Sequence, residues 1–195
     1  MLEITNLLGE SEYVTDFKKF KRKRKANGDK TIDFTVFQSE KNKHSFNLVQ
    51  EESTFEFQNE TYVIKKIKEK SVGTKTTKQV SAVHKFFDDM NKHYVYDRLT
   101  HTQSFSNVLS FIFAGTGYDF VIVDDFPNRD VGERFGEAYG VKLFKQALQL
   151  FGSEFRLEGN TVYLEVEIGS RTDIQFRYGY NVTTIDREVD TKNLT

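Results

Sequence analysis

The stretch "NGDKTIDFTVFQ", residues 27–38, constrains the fold more than any other. Asn27 and Gly28 both tolerate positive φ, which a tight hairpin turn requires. Beyond them Ile32, Phe34 and Val36 alternate with Thr31, Asp33 and Thr35, the period of a half-buried strand. A hairpin needs a first arm, and "FKKFKRKRK", residues 17–25, is the segment in position to supply it. Plain alternation puts Phe17, Lys19, Lys21, Lys23 and Lys25 on one side and Lys18, Phe20, Arg22 and Arg24 on the other. Neither side is apolar enough for full burial, so this arm is expected at a sheet edge or rim, where long cations discourage edge-to-edge pairing.

The same basic run admits a second reading, a nucleic-acid-binding or targeting patch. The formal net charge of the 195 residues is -1, so acids elsewhere offset the run and no global attraction to polyanions follows. No RNP-like sequence surrounds Phe17 and Phe20. The hairpin arm is therefore preferred. Lys18, Lys19, Lys21, Arg22, Lys23, Arg24 and Lys25 stand as the candidate interaction surface.

With no cysteine, disulfides, Cys-ligated zinc and thiol catalysis are excluded together. The opening "MLEITNLLGE" has no signal-peptide pattern, and no apolar run approaches the length of a membrane-spanning helix. Nineteen Phe and nine Tyr suit packed sheet faces.

Up to about residue 75 the chain reads as strands. "STFEFQNETYVIKKIKEK" forms a hairpin about Gln58-Asn59-Glu60, and "KHSFNLVQE" is a further candidate strand. "SVGTKTTKQ" is a linker or an exposed hairpin tip. The texture then changes. In "VSAVHKFFDDM" the spacing of Val80, Val83, Phe86, Phe87 and Met90 predicts a short helix, and "KHYVYDRLT" a strand. "THTQSFSNVLSFIFAGTG" is a helix capped by Thr102 or Ser104, with Phe105, Val108, Leu109, Ile112 and Phe113 in one stripe. "YDFVIVD" reads as a buried strand. "YGVKLFKQALQLFGSEF" reads as a second main helix, with Leu143, Phe144, Ala147, Leu148 and Phe151 inward and Gly152 as its stop. A hairpin about Glu158-Gly159-Asn160 and a further strand before a polar tail complete the chain. The expected class is α+β: a small β-barrel or sandwich followed by an α+β domain with two main helices and β-hairpins.

Residues with reactive side chains do not converge on a familiar site. His44, His84, His93 and His101 lack ligand spacing. The adjacent carboxylates Asp88-Asp89 and Asp124-Asp125 point apart on a helix or strand and make no acid/base couple by themselves. The glycines of "GTGYDF" follow a helix instead of opening one, and neither a G-K-[ST] nor a G-x-S-x-G motif occurs. No catalytic, cofactor or metal residues are nominated.

Taken in order, "KANGDKTIDFTVFQSEKNKHSFNLVQEE", "FEFQNETYVIKKIKE", "VSAVHKFFDDM", "SFSNVLSFIFAGTGYDF", "LFKQALQLFGSEFRLEGNTVYLEVEIG" and "YGYNVTTIDREVDTKNLT" resemble the N-terminal region of the prophage endopeptidase tail family, the tail-associated lysins of siphophages and prophages of Gram-positive bacteria. The resemblance implies a tube-like barrel domain at 1–75 and an inserted α+β hub domain at 76–180. Residues 181–195 would then begin a strand leading to a second barrel. It further implies a virion structural protein of the tail tip, a hub or baseplate component. The full-length protein would form a homotrimer, dock on the distal tail protein and contact the tape measure protein, with DNA only as passing cargo. No cofactor and no membrane segment are implied, and any endopeptidase activity would belong to a downstream domain. Two alternatives stay open: the N-terminal part of a cell-wall endopeptidase, or a nucleic-acid-binding module using residues 18–25.

Overall fold

The computed structural model describes residues 1–25 and 27–169. In chain order the first unit contains β1 (Leu2–Thr5), β2 (Ser11–Val14), β3 (Phe17–Arg24), β4 (Lys30–Phe37), β5 (Thr54–Phe57), β6 (Glu60–Val72) and β7 (Lys75–His84). They form one sheet in the order β2-β1-β5-β6-β7-β4-β3, all neighbours antiparallel. β2 and β3 occupy opposite edges of this order, yet only Thr15 and Asp16 separate them in sequence. Two residues reach roughly 7 Å at full extension. The sheet must therefore roll until its edges meet at that corner.

Side chains close the corner where no backbone ladder does. Asn42 is fully buried, and its Oδ1 accepts from the backbone N–H groups of Thr15 (3.0 Å) and Asp16 (3.1 Å). Its Nδ2 donates to the carbonyls of Asp16 (2.8 Å) and Phe37 (3.0 Å). Inside the roll lie Leu2, Ile4, Val14, Ile32, Phe34, Val36, Phe55, Tyr62, Ile64, Val80 and Ala82.

Three departures from the sequence reading have physical causes. Val80–His84 are strand, and the helix expected from Val80 begins at Lys85, because Val80 and Ala82 pair on both sides within the sheet and face its core. "KHSFNLVQE" forms a short 3-10 turn at Ser45–Leu48 instead of a strand. The carbonyls of Phe46 and Val49 accept from the buried Lys78 ammonium at 2.9 and 2.8 Å, a role a paired strand would preclude. Finally, Phe17 and Phe20 share a face, against simple alternation. A bulge between Lys18 and Lys21, with Lys19 at φ 56°, inserts the extra residue that turns both rings inward. They lie 6.0 and 6.2 Å from Phe34.

The second unit contains α1 (Lys85–Lys92), β8 (Tyr94–Leu99), β9 (Thr102–Gln103), α2 (Phe105–Phe113), β10 (Asp119–Ile122), β11 (Arg129–Asp130), β12 (Phe135–Tyr139), α3 (Gly140–Phe151), β13 (Glu154–Glu158) and β14 (Thr161–Glu165). Ser104 caps α2, its hydroxyl accepting from the N–H of Asn107, and Gly152 at φ 66° ends α3. The inward stripes of both helices match the expected ones. β10 is less buried than its sequence suggests. It forms the edge of a three-stranded sheet, parallel to β14, and Val121 and Val123 stay exposed. The expected strand and polar tail beyond residue 169 lie outside the described residues.

The two units are pinned at the β3–β4 turn. Asn27 Nδ2 donates to the Ser153 carbonyl at 2.9 Å, its Oδ1 accepts from the Phe155 N–H at 3.3 Å, and Lys145 reaches Asp29 at 2.9 Å. The residue that shapes the hairpin turn thus also docks it on the second unit.

Candidate functional site

Among the described residues β3 pairs with β4 alone, which makes it an edge strand. Its bulge divides the basic run in two. Arg22 turns inward over the roll and Arg24, though exposed, lies on the same side of the strand, while Lys18, Lys19, Lys21, Lys23 and Lys25 are exposed on the other. Lys23 reaches Asp33 at 3.2 Å, and the Lys18 ammonium lies 5.6 Å from the centre of the Phe37 ring. Lys19, Lys21 and Lys25 form no ion pair among the described residues. The structure therefore does not unite the seven residues into one surface.

Both arginines meet Glu60, which sequence reasoning missed. Its only signal was a carboxylate one step past the Gln58-Asn59 turn, opposite the basic arm. Arg22 approaches it at 2.5 Å, Lys30 at 2.7 Å, the Tyr62 hydroxyl at 2.7 Å and Arg24 at 3.4 Å. Arg22 also hydrogen-bonds Gln58 and lies 5.4 Å from the Phe57 ring centre. Burial alone would push the Glu60 carboxyl up, but hydrogen bonds from Lys30, Tyr62 and Arg22 outweigh it and hold the group down at about 2. Burial and the Glu60 hydrogen bond push the Tyr62 hydroxyl up to about 12.

Next to this cluster His84 closes β7 and caps α1, its Nδ1 accepting from the Phe86 N–H at 3.2 Å. Burial, reinforced by the Lys30 charge, pushes it down to about 4. A neutral imidazole is what the cap requires, because a protonated Nδ1 cannot accept. Further along α1, Asp88 and Asp89 point apart as expected. Asp88 pairs with Lys65 (2.9 Å) and Lys92 (2.7 Å), while Asp89 accepts from Lys85 and, at 2.7 Å, from the Tyr118 hydroxyl. Asp124 accepts from the Val166 N–H at 2.8 Å.

A groove of about 830 Å³ runs between Asp130–Phe135 and the α3 residues Gln146, Gln149 and Leu150. It is open to solvent. Among the described residues no group of three His, Cys, Asp or Glu could hold a metal ion, and no helix is long and apolar enough to cross a membrane.

The fold is similar to prophage tail protein gp18 from Listeria monocytogenes EGD-e, with a TM-score of 0.80 and 21% identity over 93% of this chain and 56% of that one. It is also similar to the tail protein from Neisseria meningitidis MC58 (TM-score 0.57, 9% identity, 84% of this chain and 49% of that one). A third likeness is to the E. coli c3393 protein, a type VI secretion system component that itself exhibits structural similarity to T4 bacteriophage tail proteins gp27 and gp5 (TM-score 0.56, 14% identity, 84% of this chain and 48% of that one). The chain spans about half the length of these structures. No curated protein matches it by sequence.

Family profiles match in register with the two units: the prophage endopeptidase tail N-terminal domain at residues 2–84 and the prophage endopeptidase tail domain at residues 92–164. The chain belongs to the prophage endopeptidase tail family.

Proposed function

We propose that the chain is an architectural part of a phage or prophage tail tip, a hub or baseplate component, with no catalytic work of its own. In the full-length protein it contributes to a homotrimeric ring that docks on the distal tail protein. The tape measure protein is a further neighbour and DNA passes as cargo. Its place is the tail tip of the virion. Within it, a tube-like first unit carries an inserted α+β unit, and a second barrel follows.

The observation that carries this reading is where the perturbed ionisable groups go. Glu60, His84 and Asp88 are each held by partners inside the protein; Glu60 and His84 border a cavity of about 60 Å³, and none of the three lines the larger groove. Groups fixed in this way hold structure; a catalytic acid or base needs access to a substrate. Family membership supplies the tail context. The outward lysines of β3 are the proposed contact surface of the first unit.

Quantitative mass spectrometry and immunogold labelling of particles from the producing strain test the proposal. Labelling at one end of the tail, in fixed ratio to the other tail proteins, is expected. A chain found only in the soluble lysate would refute it. The family name raises an endopeptidase reading, which solubilisation of purified peptidoglycan by this chain would revive. Tight duplex binding at physiological salt, lost when Lys18, Lys19, Lys21 and Lys25 become Gln, would favour the nucleic-acid reading instead.

A further inference from the structure

The turn joining β1 to β2 inverts the usual chemistry of a loop tip. Leu7 and Leu8 stand 77% and 85% exposed, the largest apolar side chains of the first unit to be so bare apart from Met1. Single exposed leucines need no explanation; two in succession at the apex of a built turn are different.

The turn is held rigid by its own polar groups. Asn6 Oδ1 accepts from the N–H groups of Leu8 (3.0 Å) and Glu10 (2.9 Å), and Asn6 Nδ2 donates to the Glu10 carboxylate at 2.7 Å. The Asn6 N–H donates to the Glu10 carbonyl at 3.0 Å, and the Gly9 N–H to the Asn6 carbonyl at 3.1 Å. Gly9 takes φ 83°, open to glycine at no steric cost. Thr5 and Ser11 close the base with a hydroxyl–hydroxyl bond of 2.8 Å. An apolar tip held in one conformation loses little freedom on binding.

Charge around the turn selects the partner. β1, β2 and β5 contain no Lys or Arg, and Glu3, Glu10, Glu12 and Glu56 are exposed without a cationic partner among the described residues. The sheet therefore has an acidic edge at β2 and a basic edge at β3. An anionic bilayer would be repelled by the acidic edge.

We infer that the Asn6–Glu10 turn is a docking finger that seats Leu7 and Leu8 in an apolar pocket with a basic rim on another protein of the tail. This inference rests on the tail reading above. It assigns the acidic edge an intersubunit contact of its own, separate from the lysines of β3.

The test replaces the gene in the producing strain with the Leu7→Ser/Leu8→Ser variant and measures copies of the chain per particle. Both side chains are exposed, so the unfolding midpoint of the full-length protein should not change. Incorporation should fall at least about tenfold, since two buried leucines are lost from the contact. A Glu3→Lys/Glu12→Lys variant should show a smaller loss. Wild-type incorporation of both variants would overturn the inference. So would leucine-dependent binding to phosphatidylglycerol–phosphatidylethanolamine vesicles, or leucine-dependent self-association of the chain by light scattering. Absence of the wild-type chain from particles is a different result: it would bring down the tail reading, and the docking partner with it.

Discussion

The two units of this chain close their cores by different means. In the second, helices and strands meet over an almost purely apolar cluster, in which Phe144 lies 5.4 Å from Phe86, 5.5 Å from Phe113 and 5.0 Å from Phe155. In the first, a sheet must roll without a ladder at its corner, and polar side chains stand in for missing backbone partners, Asn42 at the corner and Lys78 under the 3-10 turn, while Glu60 gathers the side chains of Arg22, Arg24 and Lys30. A helix satisfies its own backbone and offers a whole apolar face. A rolled edge leaves donors and acceptors that only designated side chains can reach. The second unit should therefore answer to volume and the first to hydrogen bonding and pH.

The largest effect should come from volume. Phe144→Ala should cost about 3–5 kcal/mol by urea unfolding. It should raise amide exchange in α2 and α3 while β4, β6 and β7 keep their protection. Equal loss of protection in both units would break the comparison.

Acid should act at the junction. His84 titrates near 6.5 when unfolded and at about 4 when folded, so the unfolded chain binds the extra proton between those values. Stability is full above pH 6.5 and declines as pH falls to about 4, by about 3 kcal/mol for this group. Glu60, depressed to about 2, adds a second loss below about pH 4.5. His84→Gln should flatten the profile between pH 6.5 and 4 and leave the lower limb intact; an unchanged upper limb would remove His84 from the account.

Asn42→Ala should cost about 2 kcal/mol, because the N–H groups of Thr15 and Asp16 lose their acceptor and the Asp16 and Phe37 carbonyls one donor each in a buried corner. Thermal unfolding of this variant checks it, and a change under 0.5 kcal/mol would mean that water replaces the amide there. The smallest effect belongs to the outer lysines. Lys19→Gln and Lys21→Gln should shift stability by less than about 0.5 kcal/mol, and a larger fall would show hidden structural partners.

How much of this was legible depended on whether the signal was local. The stripe Phe105, Val108, Leu109, Ile112, the stop at Gly152 and the turn at Asn27-Gly28 each follow from nearest neighbours in sequence. The helix boundary at Lys85 did not, because Val80 and Val83 fit both periods and only pairing with β4 and β6 decides between them. The bulge at Lys19 was equally hidden: it depends on which residues of β3 face Phe34 across the ladder. Glu60, Asn42 and Lys78 look like ordinary surface residues in sequence. Their roles arise from contacts between segments about 30 residues apart, such as Lys30 with Glu60 and Lys78 with Val49. The basic run is visible in the sequence, but its division into arginines gathered on Glu60 and lysines turned to the other side is not.

Architecture at a tail tip is the role we propose for this chain. A cryo-EM reconstruction of tails from the producing strain tests it most directly. The account predicts that the rolled sheet and its α+β unit fit density in a ring at the tail end, with β3 and the Leu7–Leu8 turn both at subunit contacts. A resolved tail tip whose density is fully explained by other proteins would contradict it.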